Sequence, residues 1–131
     1  MSYLLDTGTL VEILRAAPSP HLVRRLSLVP SAERWTSVIS VSQLLLAARK
    51  RQKPRLMQNV VRLVAAIRVA AYDLAAAQAF AKFRATVAPG APTDDVMIAA
   101  IAAGHDLTLV TTRPDDFRCY PQLRIEDWTR P

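Results

Sequence analysis

The sequence predicts an α/β fold in which helices sandwich a short, mostly parallel sheet. Three observations carry this. Short apolar or β-branched runs alternate with longer stretches of helical periodicity. The stretches between strand candidates are long enough for a helix, and strand–helix–strand units close with right-handed crossovers. Residues 65–103 are rich in alanine, which lets helices pack closely on a broad surface.

Element by element, Tyr3-Leu4-Leu5 is an apolar run that predicts a buried strand ending at Asp6. Thr9 to Arg15 follows as a helix, with Thr9 and Glu12 at capping-box spacing. A second helix follows Pro20, with Leu22, Val23, Leu26 and Val29 on one face. Trp35 to Ile39 predicts a short strand. Ser40 and Gln43 form another capping box, opening a helix through Leu44, Leu45 and Ala48. Leu56, Met57, Val60, Val61, Leu63, Val64 and Ile67 recur at helical spacing from Arg55 onward. Val69 to Tyr72 is a strand candidate. Asp73 caps a helix from Leu74 to Thr86, and Thr93 caps one from Asp94 to Ala103 that Gly104 ends. Leu107 to Thr111 is the clearest strand, and a last one lies near Arg124 to Glu126.

No repeat or convincing linker divides the chain, so residues 1–131 are expected to form a single domain. That length buries a core without disulfides. Hydrophobic residues make up 51% and charged residues 21%, which excludes a disordered polyelectrolyte. Cys119 stands alone, which rules out an intramolecular disulfide, argues against a cysteine zinc site and fits a reducing cytosol. The longest uncharged run, Trp35 to Ala48, has only 14 residues, against about 20 for a membrane span. The start shows no basic, apolar signal segment. A net charge of +6 suggests a polyanion as partner.

In a parallel α/β sheet, ligands bind beyond the carboxyl ends of the strands. Acidic residues fall where such a site would be. Asp6 follows the first strand, Asp94 and Asp95 open a helix, and Asp115 and Asp116 follow the strand ending at Thr111. Asp94, Asp95, Asp115 and Asp116 also suit a first helical turn, where acids complement the helix dipole. Converging carboxylates repel unless a hard cation neutralises them, and Mg²⁺ and Mn²⁺ take oxygen ligands. A metal so held activates water against a phosphodiester. From spacing alone this is a possible cation site.

Four blocks in order carry a resemblance. They are Leu4-Leu5-Asp6-Thr7, Ser37-Val38-Ile39-Ser40-Val41, Asp95-Val96-Met97-Ile98-Ala99-Ala100, and Leu109-Val110-Thr111 with Asp116-Phe117. Together they resemble the PIN domain, and the closing Pro121 to Trp128 resembles the end of its VapC-type toxins. The resemblance implies an α/β/α sandwich and a Mg²⁺- or Mn²⁺-dependent endoribonuclease acting on RNA. It also implies a VapB-type antitoxin partner, a homodimer and a cytoplasmic setting. The family's acids fall on Asp6, Asp95 and Asp116, which would hold the metal, while Thr7 and Thr111 line the site.

Three positions depart from that pattern. Gln43 stands where the family carries a catalytic Glu, Arg113 where Asn or Asp is usual, and Gly8 where Asn is usual. Gln43 takes one negative charge from the site, and its amide is only a neutral substitute at the fourth ligand position. Arg113 suits a substrate phosphate, or pairs with Asp115 or Asp116 and in part replaces the cation. Two readings stay open: an active nuclease with an atypical site, and a PIN-fold module that binds RNA or an antitoxin with little cleavage.

Arg49-Lys50-Arg51-Gln52-Lys53-Pro54-Arg55 has five basic residues in seven. This is a phosphate-contacting patch or, slightly favoured, a solvated helix end. His21, His105 and Cys119 have no partners at a catalytic spacing. The aromatic residues are too scattered for a base-stacking surface. Leu22 to Val29 and Leu56 to Val64 form apolar faces suited to core packing or to a partner helix.

Overall fold

The computed structural model describes residues Met1–Pro131. Strand β1 (Tyr3–Leu5) lies at the centre of a five-stranded sheet. Strands β2 (Arg34–Ser37) and β3 (Arg68–Ala70) extend it on one side, and β4 (Thr108–Val110) and β5 (Ile125–Glu126) on the other. The order is β3-β2-β1-β4-β5 and every pair is parallel. The connecting helices are α1 (Thr7–Leu14), α2 (Pro20–Leu28), α3 (Val38–Arg51), α4 (Pro54–Ala66), α5 (Leu74–Thr86), α6 (Thr93–Gly104) and α7 (Pro114–Phe117). A 3-10 turn at Ser31–Glu33 leads into β2.

Strand side chains alternate between faces, and that alternation builds two cores. Leu4 and Leu109 face a core with Val96, Ile98, Ile101, Phe83 and Phe117, from α5, α6 and α7. Leu5 and Val110 face another with Leu10, Leu22, Leu44, Val60 and Trp128, where α1 to α4 supply the helical side. The result is the expected α/β/α sandwich. Burying each of these large side chains contributes about 1.5–3 kcal/mol. No helix is long and apolar enough to cross a membrane.

Several expected boundaries move, each for a local reason. Helix α1 is capped by Asp6, whose Oδ1 accepts from the Thr9 backbone N–H at 2.9 Å. Glu12 therefore lies inside the helix, where it pairs with Arg15 and accepts from the Ser19 N–H. Helix α3 is capped by Ser37, which accepts from the Ser40 N–H at 2.9 Å. That cap draws Val38 and Ile39 into the helix and puts Gln43 in its second turn, beyond any capping role. Helix α6 starts at Thr93 without a side-chain cap. Asp73 caps α5 as expected, accepting from the Ala76 N–H.

Gly104 is the last residue of α6 rather than a turn beyond it. Its role is close approach: a Cβ there would stand 2.9 Å from the Ala75 carbonyl carbon and the Ala76 nitrogen of α5. Val23 is 51% exposed, because α2 buries Leu22 and turns Val23 to solvent. The α7 turn joins a Pro114 start to the buried Phe117, and it points Asp115 and Asp116 outward.

Candidate active site

All five strands run the same way, so their carboxyl ends share one edge. There β1 and β4 hand over to Asp6 and Thr111, and β2 ends on Ser37. Hydroxyl and amide groups satisfy the last strand carbonyls. The Asp6 N–H and the Thr9 hydroxyl both donate to the Val110 carbonyl, at 2.9 and 3.0 Å. The Thr36 hydroxyl donates to the Leu5 carbonyl at 2.7 Å.

Asp6 is the most deeply buried acid of this edge, only 1% exposed. Its Oδ1 is used by the α1 cap. Its Oδ2 is buried and finds no donor in hydrogen-bond geometry. Burial pushes the carboxyl above the ordinary aspartate value of 3.8, and the neighbouring Thr111 and Thr9 groups and the Arg113 charge only partly oppose it. A buried oxygen lone pair with no donor is costly by itself. It is also what a cation requires.

Asp95 lies in the first turn of α6 and is 8% exposed. Both its oxygens are taken by the Arg113 guanidinium, at 3.0 and 3.2 Å. The same guanidinium donates to Asp116 Oδ2 at 2.9 Å. The Arg113 N–H donates to the Thr111 hydroxyl, and the guanidinium lies over the Phe117 ring, 5.5 Å from its centroid. The Asp95 hydrogen bonds raise the Arg113 pKa further, with Asp6 also contributing through charge. Asp95 and Asp116 therefore meet at a cation that the chain itself supplies, and Asp6 feels its charge without bonding to it. No three acids, histidines or cysteines stand close enough together to hold a metal ion between them. Asp115, an expected partner of Arg113, pairs with Arg118 instead.

Gln43 sits at the end of a hydroxyl chain. Ser37 and Ser40 hydroxyls are 3.2 Å apart, Ser40 and Thr7 2.9 Å apart, and Thr7 bonds to Gln43 Oε1. Gln43 Nε2 then donates to Asp94 Oδ2 at 2.9 Å. A hydroxyl carries one proton and donates once. Hence Ser37 donates to Ser40, Ser40 to Thr7, Thr7 to Gln43, and Gln43 to Asp94. Both halves of the amide are used. A Glu would accept from Thr7 equally well but would face Asp94 as a second anion.

The remaining departure has a steric cause. A Cβ at Gly8 would stand 2.7 Å from the Thr112 Oγ1, so Thr112 fills the space that a larger residue would take. The basic segment lies at the end of α3 and the start of α4, with Arg49, Lys50, Arg51, Lys53 and Arg55 all exposed. His105 follows α6, and its Nε2 lies 3.1 Å from Asp73 at the start of α5 rather than facing the site.

Sequence reasoning set Asp94 among the acids of this edge and Ser37 and Ser40 in a matching block, but gave none of them a bond in the chain that ends at Gln43. Ser37 and Ser40 sit three apart at a strand-to-helix turn, which is a cap signal. Nothing in the sequence pairs Gln43 with Asp94, because 51 residues separate them.

The donor set fits a hard cation in kind. Three carboxylates supply oxygen, one of them a buried oxygen without a donor. As arranged, Arg113 holds Asp95 and Asp116, and the three acids do not stand together as a metal site.

A family model described as PIN domain matches residues 3–122. Among solved structures, a chain of DNA-bound VapBC from Salmonella typhimurium is 29% identical, with a TM-score of 0.85 and 98% of each chain covered. A chain of VapBC-1 from nontypeable Haemophilus influenzae is 21% identical, with a TM-score of 0.88, covering 99% of this chain and 100% of that one. A chain of FitAcB from Neisseria gonorrhoeae is 22% identical, with a TM-score of 0.84, covering 98% and 99%. The last two likenesses speak for the fold alone. No curated protein matches the chain.

Proposed function

The chain belongs to the PIN domain family, and from that premise we propose that it is the toxin of a VapBC-type toxin–antitoxin pair, a divalent-metal-dependent endoribonuclease with an atypical site. The observation that carries this reading is the edge itself. At the carboxyl ends of a parallel sheet Asp6 keeps a buried oxygen without a hydrogen bond, and Asp95 and Asp116 share Arg113 at the same edge. Asp6, Asp95 and Asp116 would hold Mg²⁺ or Mn²⁺. Such an ion, when bound, supplies Lewis acidity and an activated water for attack on phosphorus.

The rest is the work of the chain. The Thr9 N–H fixes the Asp6 carboxylate, so its free oxygen stays aimed at the edge. Thr7 and Thr111 line the site, and Arg113 offers two N–H groups to a phosphate once it lets go of the acids. The exposed cations from Arg49 to Arg55 position an RNA backbone without reading its sequence. Gln43 withholds the charge that a Glu would bring to the site. Residues 1–131 act as one domain, in the cytoplasm and as a homodimer.

The VapBC structures that resemble this chain favour a VapB-type antitoxin as its partner. A groove of about 250 Å³ lined by Val11, Leu14, Leu44, Ala47, Leu56 and Val60 offers a surface for an apolar antitoxin helix. A second reading is favoured by Gln43 and Arg113 together, which satisfy the acids internally. On it the chain is a PIN-fold module that binds RNA or antitoxin and cleaves little.

The test is cleavage of mixed RNA by the purified protein with Mg²⁺, with Mn²⁺ and with EDTA, beside Asp95→Asn. The expected result is metal-dependent cleavage that Asp95→Asn abolishes. Cleavage by Asp95→Asn at the parental rate overturns the assignment. A parent silent in all three conditions, binding RNA nonetheless, supports the second reading.

A further inference from the structure

We propose that Arg113 is a built-in counter-cation that occupies the metal's place, so that the chain's own guanidinium competes with a divalent ion for Asp95 and Asp116. The inference rests on the metal-site reading above and specifies what sets metal affinity in this chain. Three observations carry it. The guanidinium spans two acids at once, with both Asp95 oxygens and one of Asp116 within 3.2 Å. The backbone N–H of Arg113 bonds to the Thr111 hydroxyl, which fixes where the side chain starts, and the Phe117 ring lies beneath the guanidinium. The third acid, Asp6, is left with a buried oxygen that accepts no well-formed hydrogen bond, although the Thr111 hydroxyl lies beside the carboxyl and the Arg113 charge reaches it. One cation thus satisfies two acids of the cluster and leaves the third short of a partner.

A divalent ion entering this cluster faces a positive group already bonded to two of its ligands. At the few ångströms involved, like charges near a protein surface repel strongly. Binding therefore requires the Arg113 side chain to swing away. Its side chain is 48% exposed, so it has room to do so. A phosphodiester is the natural lure, because a guanidinium forks onto phosphate as it forks onto carboxylate. Metal binding and RNA binding would then favour one another, as linkage requires.

The test is Mn²⁺ binding, read from the loss of the free-ion EPR signal, with no RNA present. The proteins are the parent, Arg113→Asn, Arg113→Gln and Gln43→Glu, each checked by circular dichroism. Arg113 is the N-cap residue of α7, and Asn is a good N-cap, so Arg113→Asn keeps that turn. Arg113→Gln serves as a second variant of intermediate size. Both are expected to bind Mn²⁺ at least about tenfold more tightly than the parent. Adding Asp95→Asn to Arg113→Asn should erase the gain, which ties it to this cluster.

If the Arg113 variants bind Mn²⁺ no better than the parent while Gln43→Glu does, the role of Arg113 is overturned and the metal reading stands. Weaker binding in the Arg113 variants overturns it too, since Arg113 would then be holding ligands in place for the ion. If none of the proteins binds Mn²⁺, the metal reading itself fails and the inference falls with it.

Discussion

Replacing Gln43 with Glu restores the family's usual residue, and it should cost the metal-free protein stability. Gln43 Nε2 now donates to Asp94 Oδ2 at 2.9 Å. In Gln43→Glu that donor becomes a carboxylate oxygen facing another. Two unit charges 4 Å apart repel by about 1 kcal/mol in bulk water and about 4 kcal/mol at a surface dielectric near 20. The contact is exposed, so the lower end applies and rotation of Asp94 relieves part of it. Loss of a hydrogen bond to a charged acceptor adds about 1.5 kcal/mol. The net expectation is a loss of about 1–3 kcal/mol. With roughly 2.1 cal/mol/K of unfolding entropy per residue, a chain of 131 residues shifts by about 4 °C per kcal/mol. Thermal unfolding in EDTA at neutral pH should therefore show a midpoint roughly 4–10 °C lower. Gln43→Glu combined with Asp94→Asn should recover most of it, because the new amide donates to the new carboxylate. Mn²⁺ should shrink the deficit of the single variant. A single variant that melts in EDTA with or above the parent, or a double variant that recovers nothing, refutes the reasoning.

Asp6→Asn should raise stability in EDTA at neutral pH while abolishing cleavage. The Asn oxygen still caps α1, and the buried charge is gone. The native Asp6 carboxyl holds its proton to higher pH than in the unfolded chain, so the parent loses stability as pH rises from 3.8 through the native value. Urea midpoints across that range should fall for the parent and stay flatter for Asp6→Asn; parallel profiles would refute the burial account. Gly104→Ala gains about 1 kcal/mol of helix propensity but forces a methyl onto the α5 backbone at 2.9 Å, where overpacking costs about 1–3 kcal/mol. A lower urea midpoint is expected, and an equal or higher one would show that the two helices can part freely.

The sequence by itself determined the alternation of strand and helix, the parallel sheet and the placement of acids at strand ends. Those follow from local signals. Tyr3-Leu4-Leu5 and Leu107 to Thr111 are too apolar to be exposed, Asp73 caps its own helix, and an acid after a strand lies at a carboxyl edge. The helix starts lie before Thr9 and Ser40, because Asp6 and Ser37 carry the same capping chemistry three residues earlier. What only the tertiary structure decided was who meets whom at the edge. The bridge from Arg113 to Asp95 spans 18 residues, and the bond from Gln43 to Asp94 spans 51. Neither has a local signature. Both depend on the register that sets β4 beside β1 and on the packing of α3 and α6 at the same edge. Charge is long-ranged and indifferent to sequence distance, so which acids hold an arginine, Asp95 and Asp116 but not Asp6, is decided only when the sheet closes.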